Sequence, residues 1–198
     1  MGVRAEMLEL ALLGELGRPT HGYELRKRLS ESVGTMRRLS FGSLYPALHR
    51  LEEAGLITAE ASPVKPGRRA HITYAITEAG RAHLTESLEH VDSDDESFAV
   101  ALGLMSQASP AARLRLLQDR RARVLERRET KRAARGNQEH DPWKLVRRQY
   151  EDDVVDREIT WLDRLIATVQ STPASPAPQA PAPAVEPPIH RTGPPSSI

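Results

Sequence analysis

Three cations, Lys65, Arg68 and Arg69, stand around Pro63, Pro66 and Gly67 with no acid beside them. A cluster of this kind in a turn-forming stretch offers unneutralised charge and N–H donors, which suits the phosphates of a nucleic acid. Upstream, residues 40–55 read as a short amphipathic helix. Leu44, Leu48 and Leu51 fall at i, i+4 and i+7 and make one apolar stripe, while Ser43, His49 and Arg50 point away from it and offer a hydroxyl, an imidazole and a guanidinium.

The elements around these residues supply the frame. Gly55 ends the helix. The alternating segments Leu56–Ala61 and Ile72–Ile76 flank the basic stretch Pro63–Arg69 and spell a β-hairpin. A helix followed by a hairpin with a basic tip is the order of a winged helix-turn-helix. Pro46 conflicts with a helix interior, where proline costs about 3 kcal/mol. A late start resolves the conflict: Ser43 becomes the cap, Pro46 sits in the first turn, and the N–H groups of the helix start lie beside Ser43 and Tyr45 for a phosphate.

Before this unit, Met7, Leu8, Ala11, Leu12 and Leu16 predict a helix over 4–16, stopped by Gly17 and Pro19. Thr20 is placed to cap a second helix over 21–32. Arg26, Lys27 and Arg28 on it read equally as a solvated face or as phosphate contacts. Tyr23 reads first as core, with a phosphate contact as the alternative. After the hairpin, Thr77 caps a helix to about Val91, and Ser93 with Glu96 has the form of a capping box for the next. Ser109-Pro110 and Asp141-Pro142 announce two more, over 110–135 and 142–170. The run Arg127–Arg132 near the end of the first of these reads as a solvated face before it reads as a DNA contact.

The helix over 142–170 is the most regular. Val155, Ile159, Leu162, Ile166 and Val169 step by four and three, with Trp143, Val146, Tyr150, Val154, Trp161 and Leu165 on an adjoining stripe. At about 1.5 Å per residue it reaches about 43 Å, more than a small lobe can cover. A second copy of the chain is the cover expected, with Trp143, Val146, Tyr150, Val154, Ile159, Trp161, Leu162, Leu165 and Ile166 in the dimer contact. Beyond Ser171 the chain is dominated by Pro and Ala and cannot repay its ordering entropy, so 171–198 is expected to be a disordered tail.

Composition sets further bounds. A formal net charge of +1 over 198 residues means that any affinity for an acidic polymer comes from local placement. The absence of cysteine excludes disulfides and thiolate chemistry and fits a reducing cytosol. No apolar run is long enough to span a membrane, and Glu6 and Glu9 stand where a secretory leader would be apolar, so a soluble, cytoplasmic protein with no membrane partner is expected. The seven histidines show no metal-ligand spacing, and no P-loop or G-x-S-x-G nucleophile motif is present. Neither metal, cofactor nor catalysis is expected.

Together, Leu12-Leu13-Gly14, His21-Gly22-Tyr23-Glu24-Leu25, Gly42-Ser43-Leu44-Tyr45-Pro46-Ala47-Leu48, Arg50-Leu51-Glu52, Gly55-Leu56-Ile57, Arg68-Arg69, Tyr74, Thr77-Glu78 and Gly80-Arg81 resemble the PadR family of bacterial transcriptional regulators over about the first 85 residues. The resemblance implies that the third helix enters the major groove while the wing tip follows phosphates or the adjacent minor groove. Carried over residue by residue, Ser40, Gly42, Ser43 and Tyr45 line the helix entrance and His49 and Arg50 follow the groove, with Tyr45 a phosphate donor and Arg50 or His49 the candidate for a base edge. Lys65, Arg68 and Arg69 complete the set. The family commonly has lysine near His49, so the base preference there departs from the pattern. Some relatives take planar aromatic inducers in an apolar dimer-interface cavity, which would put Phe98, Trp143 and Trp161 around such a ligand.

The expected fold is mainly α with a small β-hairpin wing: a winged helix-turn-helix over 1–90, a C-terminal helical dimerisation lobe over 91–170, and the tail. The expected function is a homodimeric repressor that binds double-stranded DNA at an inverted repeat. The competing class is a helical protein-interaction module that uses the winged helix as a scaffold. A MarR-like dimer is the rival fold.

Overall fold

The computed structural model describes residues 3–32, 41–61, 72–134 and 141–171. The basic segment with Lys65, Arg68 and Arg69, the position of Ser40 and the Pro/Ala-rich tail lie outside the described residues.

α1 (Val3–Glu15) carries Leu8, Leu10, Ala11, Leu12 and Leu13, which with Leu16 just beyond its end are all buried. With buried side chains on every side it can only be central, and α2 (Gly22–Ser32), α3 (Leu44–Glu53), α4 (Glu78–His90) and α5 (Asp95–Gly103) all pack against it. Thr20 does not cap α2 as expected. Thr20–His21 instead form β1, a two-residue strand opposite Tyr74 and Thr73 of β3 (Ile72–Ile76). β2 (Ile57–Ala61) pairs antiparallel on the other side of β3, from Ile57 opposite Ile76 to Ala61 opposite Ile72. The sheet order is thus β1-β3-β2, and the predicted hairpin strands agree with it to within a residue. These helices and this sheet make a winged helix-turn-helix.

Two turns fix how α3 passes into the hairpin. Gly55 has φ +70°, its N–H donates to the Glu52 carbonyl, and the Leu56 N–H reaches back to the Leu51 carbonyl at 2.9 Å. This is a Schellman end, which needs the left-handed residue that glycine adopts at little cost. Thr77 then joins the far end of the hairpin to the same corner. Its hydroxyl accepts from the Gly80 N–H at 3.0 Å, capping α4 as predicted, and donates to the Gly55 carbonyl at 2.8 Å. Gly80 is buried so close to the hairpin that a Cβ would fall on the Leu56 carbonyl oxygen and crowd Ile76.

The C-terminal part is α5, a 3₁₀ turn over Met105–Gln107, α6 (Pro110–Ala133) and α7 (Pro142–Ser171). Ser109 caps α6 and Asp141 accepts from the Trp143 N–H at the start of α7, as the cap-then-proline pairs predict. At α5 the cap is Asp94, accepting from the Glu96 and Ser97 N–H groups, in place of the expected Ser93. A carboxylate serves there because it takes two N–H groups at once at the positive end of the helix. Ser93 is buried, and its carbonyl accepts from Arg120 of α6 at 3.2 Å.

Two outcomes follow. Gly80→Ala should cost about 1–3 kcal/mol in urea unfolding, because the added methyl meets a backbone carbonyl that cannot swing away. The hydrogen bond from Arg120 outweighs burial and holds the Asp95 carboxyl below its ordinary 3.8. A depressed carboxylate contributes stability that is complete above the unfolded value and is lost as pH falls through the folded one. Asp95→Asn should therefore show a shallower loss of stability than the parent below pH 3.8, read by circular dichroism.

Candidate nucleic-acid interface

α3 begins late, as Pro46 demands. A 3₁₀ turn over Phe41–Ser43 leads in, Leu44 is the first α-helical residue and Pro46 the third, where its missing N–H costs nothing. Ser43 occupies the position before the helix with φ −92° and ψ −9°, and its side chain makes no cap hydrogen bond. The apolar side is Leu44, Ala47, Leu48 and Leu51, all buried, which leaves Gly42, Tyr45, Pro46 and His49 exposed.

Tyr45 is 63% exposed and its ring reaches the start of α2: a Cβ on Gly22 would stand 3.6 Å from the Tyr45 ring and equally close to that of Tyr74. Next to it in the chain, Tyr23 is 78% exposed, against the expectation that it belongs to the core. The starts of α2 and α3 therefore present two phenol-bearing side chains in one region. Tyr74 is the one turned inward, and burial raises its phenol above the ordinary value, so it stays neutral. Tyr23 could have been recognised from Leu25 and Leu29, the buried residues of α2, which lie on a stripe that does not include it.

The two groups expected to follow the groove differ. His49 is exposed, with Nδ1 3.2 Å from Glu53 one turn on. Arg50 is not aimed outward. Its Nε donates to Glu9 of α1 at 2.8 Å and its Nη2 lies 2.6 Å from the same oxygen, with Glu9 itself largely covered. The position of Arg50 one step from buried Leu51 turns it toward α1, where a carboxylate holds it. Its guanidinium thereby braces α3 against α1, while the side chain stays 39% exposed. Of the two candidates for a base edge, Arg50 is thus held by another element, whereas His49 meets only Glu53 of its own helix.

Several other cations are answered by acids. On α2, Arg28 pairs with Glu24 and Lys27 with Glu31, both one turn apart. On α6, Arg128 pairs with Asp156, Lys131 with Glu151 and Arg132 with Glu129, so this basic run is an ion-paired face toward α7.

The long helix separates into two sides. Leu162 is 0% exposed, and Val155, Ile159, Leu165, Ile166 and Val169 pack partly buried against the chain's own core. Leu162 therefore leaves the expected dimer set, since nothing of it remains for a partner. Ile159, Leu165 and Ile166 have spent part of their surface in the same way. Trp143, Val146, Tyr150, Val154 and Trp161 are exposed. The expected aromatic cluster does not form within one chain. Phe98 is buried edge-on to Trp161 with ring centroids 6.4 Å apart, whereas Trp143 lies eighteen residues from Trp161, about 27 Å along the helix. Among the described residues there is no cluster of side chains able to hold a metal, and no helix is long and apolar enough to cross a membrane.

Residues 10–86, the segment that holds α1 to α4 and the hairpin, match the model of the transcriptional regulator PadR-like family. This segment is a PadR-like domain. The family that this segment matches is one of transcriptional regulators. Over 66 residues the chain is 47% identical to the transcriptional regulator Rv3488 of Mycobacterium tuberculosis, a match covering 33% of this chain and 57% of that protein. This PadR-like chain thus spans little more than half the length of that relative. Among solved structures it is similar to TA0346 of Thermoplasma acidophilum, assigned as a transcriptional regulator, at 34% identity and a TM-score of 0.38, covering 43% of this chain and 80% of that one. It is also similar to PadR of Bacillus subtilis in complex with operator DNA, at 18% identity and a TM-score of 0.40, covering 82% and 98%.

The Arg50–Glu9 pair bears a direct test. In a double-mutant cycle, Arg50→Ala and Glu9→Ala should each lower unfolding free energy, and the double variant should lose less than their sum. The expected coupling is about 0.5–1 kcal/mol, as befits a partly exposed pair.

Proposed function

We propose that this PadR-like chain is a sequence-specific repressor that binds an inverted-repeat operator as a homodimer in the cytoplasm. The observation that carries the reading is the shared exposure of Tyr45 and Tyr23 where the starts of α2 and α3 meet, with His49 exposed one turn further along α3, on the unit whose sequence carries the unneutralised cations. Phenol and imidazole groups donate to phosphates and base edges, and the positive end of α3 adds a favourable field for a phosphate near Ser43 and Gly42. Ser40, Lys65, Arg68 and Arg69 join this surface in the proposal on the strength of the sequence.

Dimerisation is supported by the exposed side of α7. Trp143 is 80% exposed and Trp161 40%, with Val146, Tyr150 and Val154 between them, an apolar strip that water covers poorly and a second copy covers well. The divisions at 90/91 and 170/171 belong to the same reading: a DNA lobe, a pairing lobe and a tail. Two short recognition helices held at fixed spacing read a site that one could not, and a dimer seated on a promoter blocks its use. PadR of Bacillus subtilis is known with operator DNA and with p-coumaric acid. For this chain a planar aromatic effector would have to lie at the Phe98–Trp161 contact, the place where two of the three expected aromatics meet.

The experiment is a gel-shift titration on the chain's own promoter duplex at several salt concentrations. Arg69→Ala should weaken binding to all sequences alike and lower the salt slope by about one unit, and Tyr45→Phe should weaken binding with the slope unchanged. A protein that binds no duplex at moderate salt, or an Arg69→Ala variant of undiminished affinity, would count against the reading and favour the interaction-module alternative.

A further inference from the structure

Arg120 is 6% exposed and is the single charged residue among the buried side chains described. Its partners come from three places. Nη1 donates to Asp95 Oδ1 at the start of α5 at 2.5 Å and to the Ser93 carbonyl at 3.2 Å, and Nε donates to Glu158 Oε1 in α7 at 2.8 Å, with Nη2 2.6 Å from that same oxygen. The guanidinium also lies 5.1 Å from the Phe98 ring centroid, and Phe98 turns its edge to Trp161. Two further arginines of α6 hold the same link between the lobes: Arg115 donates to the Val91 carbonyl and Arg123 to the Asp92 carboxylate.

We propose that Arg120 is a positioning residue for operator recognition, which by tying the 91–95 link to α7 sets the separation and rotational phase of the two DNA-reading lobes. This rests on the dimeric, DNA-binding reading above and adds the geometry between its two halves. Apolar packing between α6 and α7 is non-directional and tolerates sliding and rotation. A buried guanidinium does not, because any shift of α7 strands a charge that has left water. The other pairs that α6 makes across to α7 and Asp95, namely Arg121 with Asp163, Arg127 with Asp95 and, at 4.0 Å, with Glu158, Arg128 with Asp156 and Lys131 with Glu151, each have at least one member more than a third exposed and are individually weaker than a buried fork. Arg120 also has the planar fork needed to hold several acceptors in fixed directions. If α7 carries the dimer contact, its angle to the link fixes where each recognition helix meets the duplex. One base pair of spacer moves a half-site by about 3.4 Å and about 35°, so a rigid link must discriminate between spacers and a loosened one must not.

The test uses the full chain and a set of duplexes carrying two half-sites, selected from a random library by the parent protein, with the spacer lengthened and shortened one base pair at a time. A duplex with a single half-site serves as control, and sedimentation reports the dimer. The parent should prefer one spacer over its neighbours by about tenfold or more. Arg120→Met, which keeps the volume and removes the fork, should remain dimeric, bind the single half-site within about twofold of the parent and narrow the spacer preference to about threefold or less. Glu158→Gln, which leaves Arg120 its Asp95 and Ser93 partners, should move the preference the same way by a smaller amount and provides the readout if Arg120→Met does not fold. Unchanged spacer preference in a folded, dimeric variant overturns the proposal, as does a dimeric parent that binds all spacers equally. A parent that binds no duplex, or binds as a monomer, instead overturns the reading on which the proposal rests.

Discussion

The burial of α1 on every side is the constraint from which the rest of the architecture follows. Leu8, Leu10, Leu12, Leu13 and Leu16 leave no side fit for water, so other elements must surround the helix. α2, α3 and α4 of the winged helix and α5 of the C-terminal part all cover it. α3 is thereby seated by its own leucines against a fixed support, with Glu9 of α1 holding Arg50 at the rim. A helix read by DNA needs such a seat, because contacts to base edges lose their directionality if the element bearing them rocks.

Local chemistry made much of this legible in the sequence. Pro46 dictated a late α3, Gly55 its end, Thr77, Ser109 and Asp141 the starts of α4, α6 and α7, and alternation both strands of the hairpin. Most of what was missed turns on partners distant in sequence. Thr20 forms a strand because Tyr74 lies across from it, which no local signal at 19–21 reveals. Helical periodicity places Arg50 outside the leucine stripe and knows nothing of Glu9, which holds it. Tyr23 looked apolar by type, although its place on α2 relative to Leu25 and Leu29 is outward. Leu162 belonged to a stripe that was correctly drawn and assigned to a partner chain, whereas α6 takes up that side of α7 first.

The C-terminal part is organised by charge as much as by apolar packing. Along much of their shared length the bases stand on α6 and the acids on α7, from Arg121 with Asp163 to Lys131 with Glu151. The one-sided assignment fixes register and direction, since an inverted or shifted α7 would bring different residues opposite the arginines. It also explains how a chain with a formal net charge of only +1 carries so many arginines: most of those on α6 are spent inside the molecule.

Both tryptophans of the chain sit on α7, one of them almost bare to solvent. Intrinsic emission excited at the indole band therefore reports on this rod and its contact with Phe98 of α5, and carries no signal from an indole in the winged helix. A titration followed by that light senses association of the C-terminal helices, while far-ultraviolet ellipticity follows every helix together. Divergence between the two curves would mark the rod parting company with the lobe before the lobe itself melts.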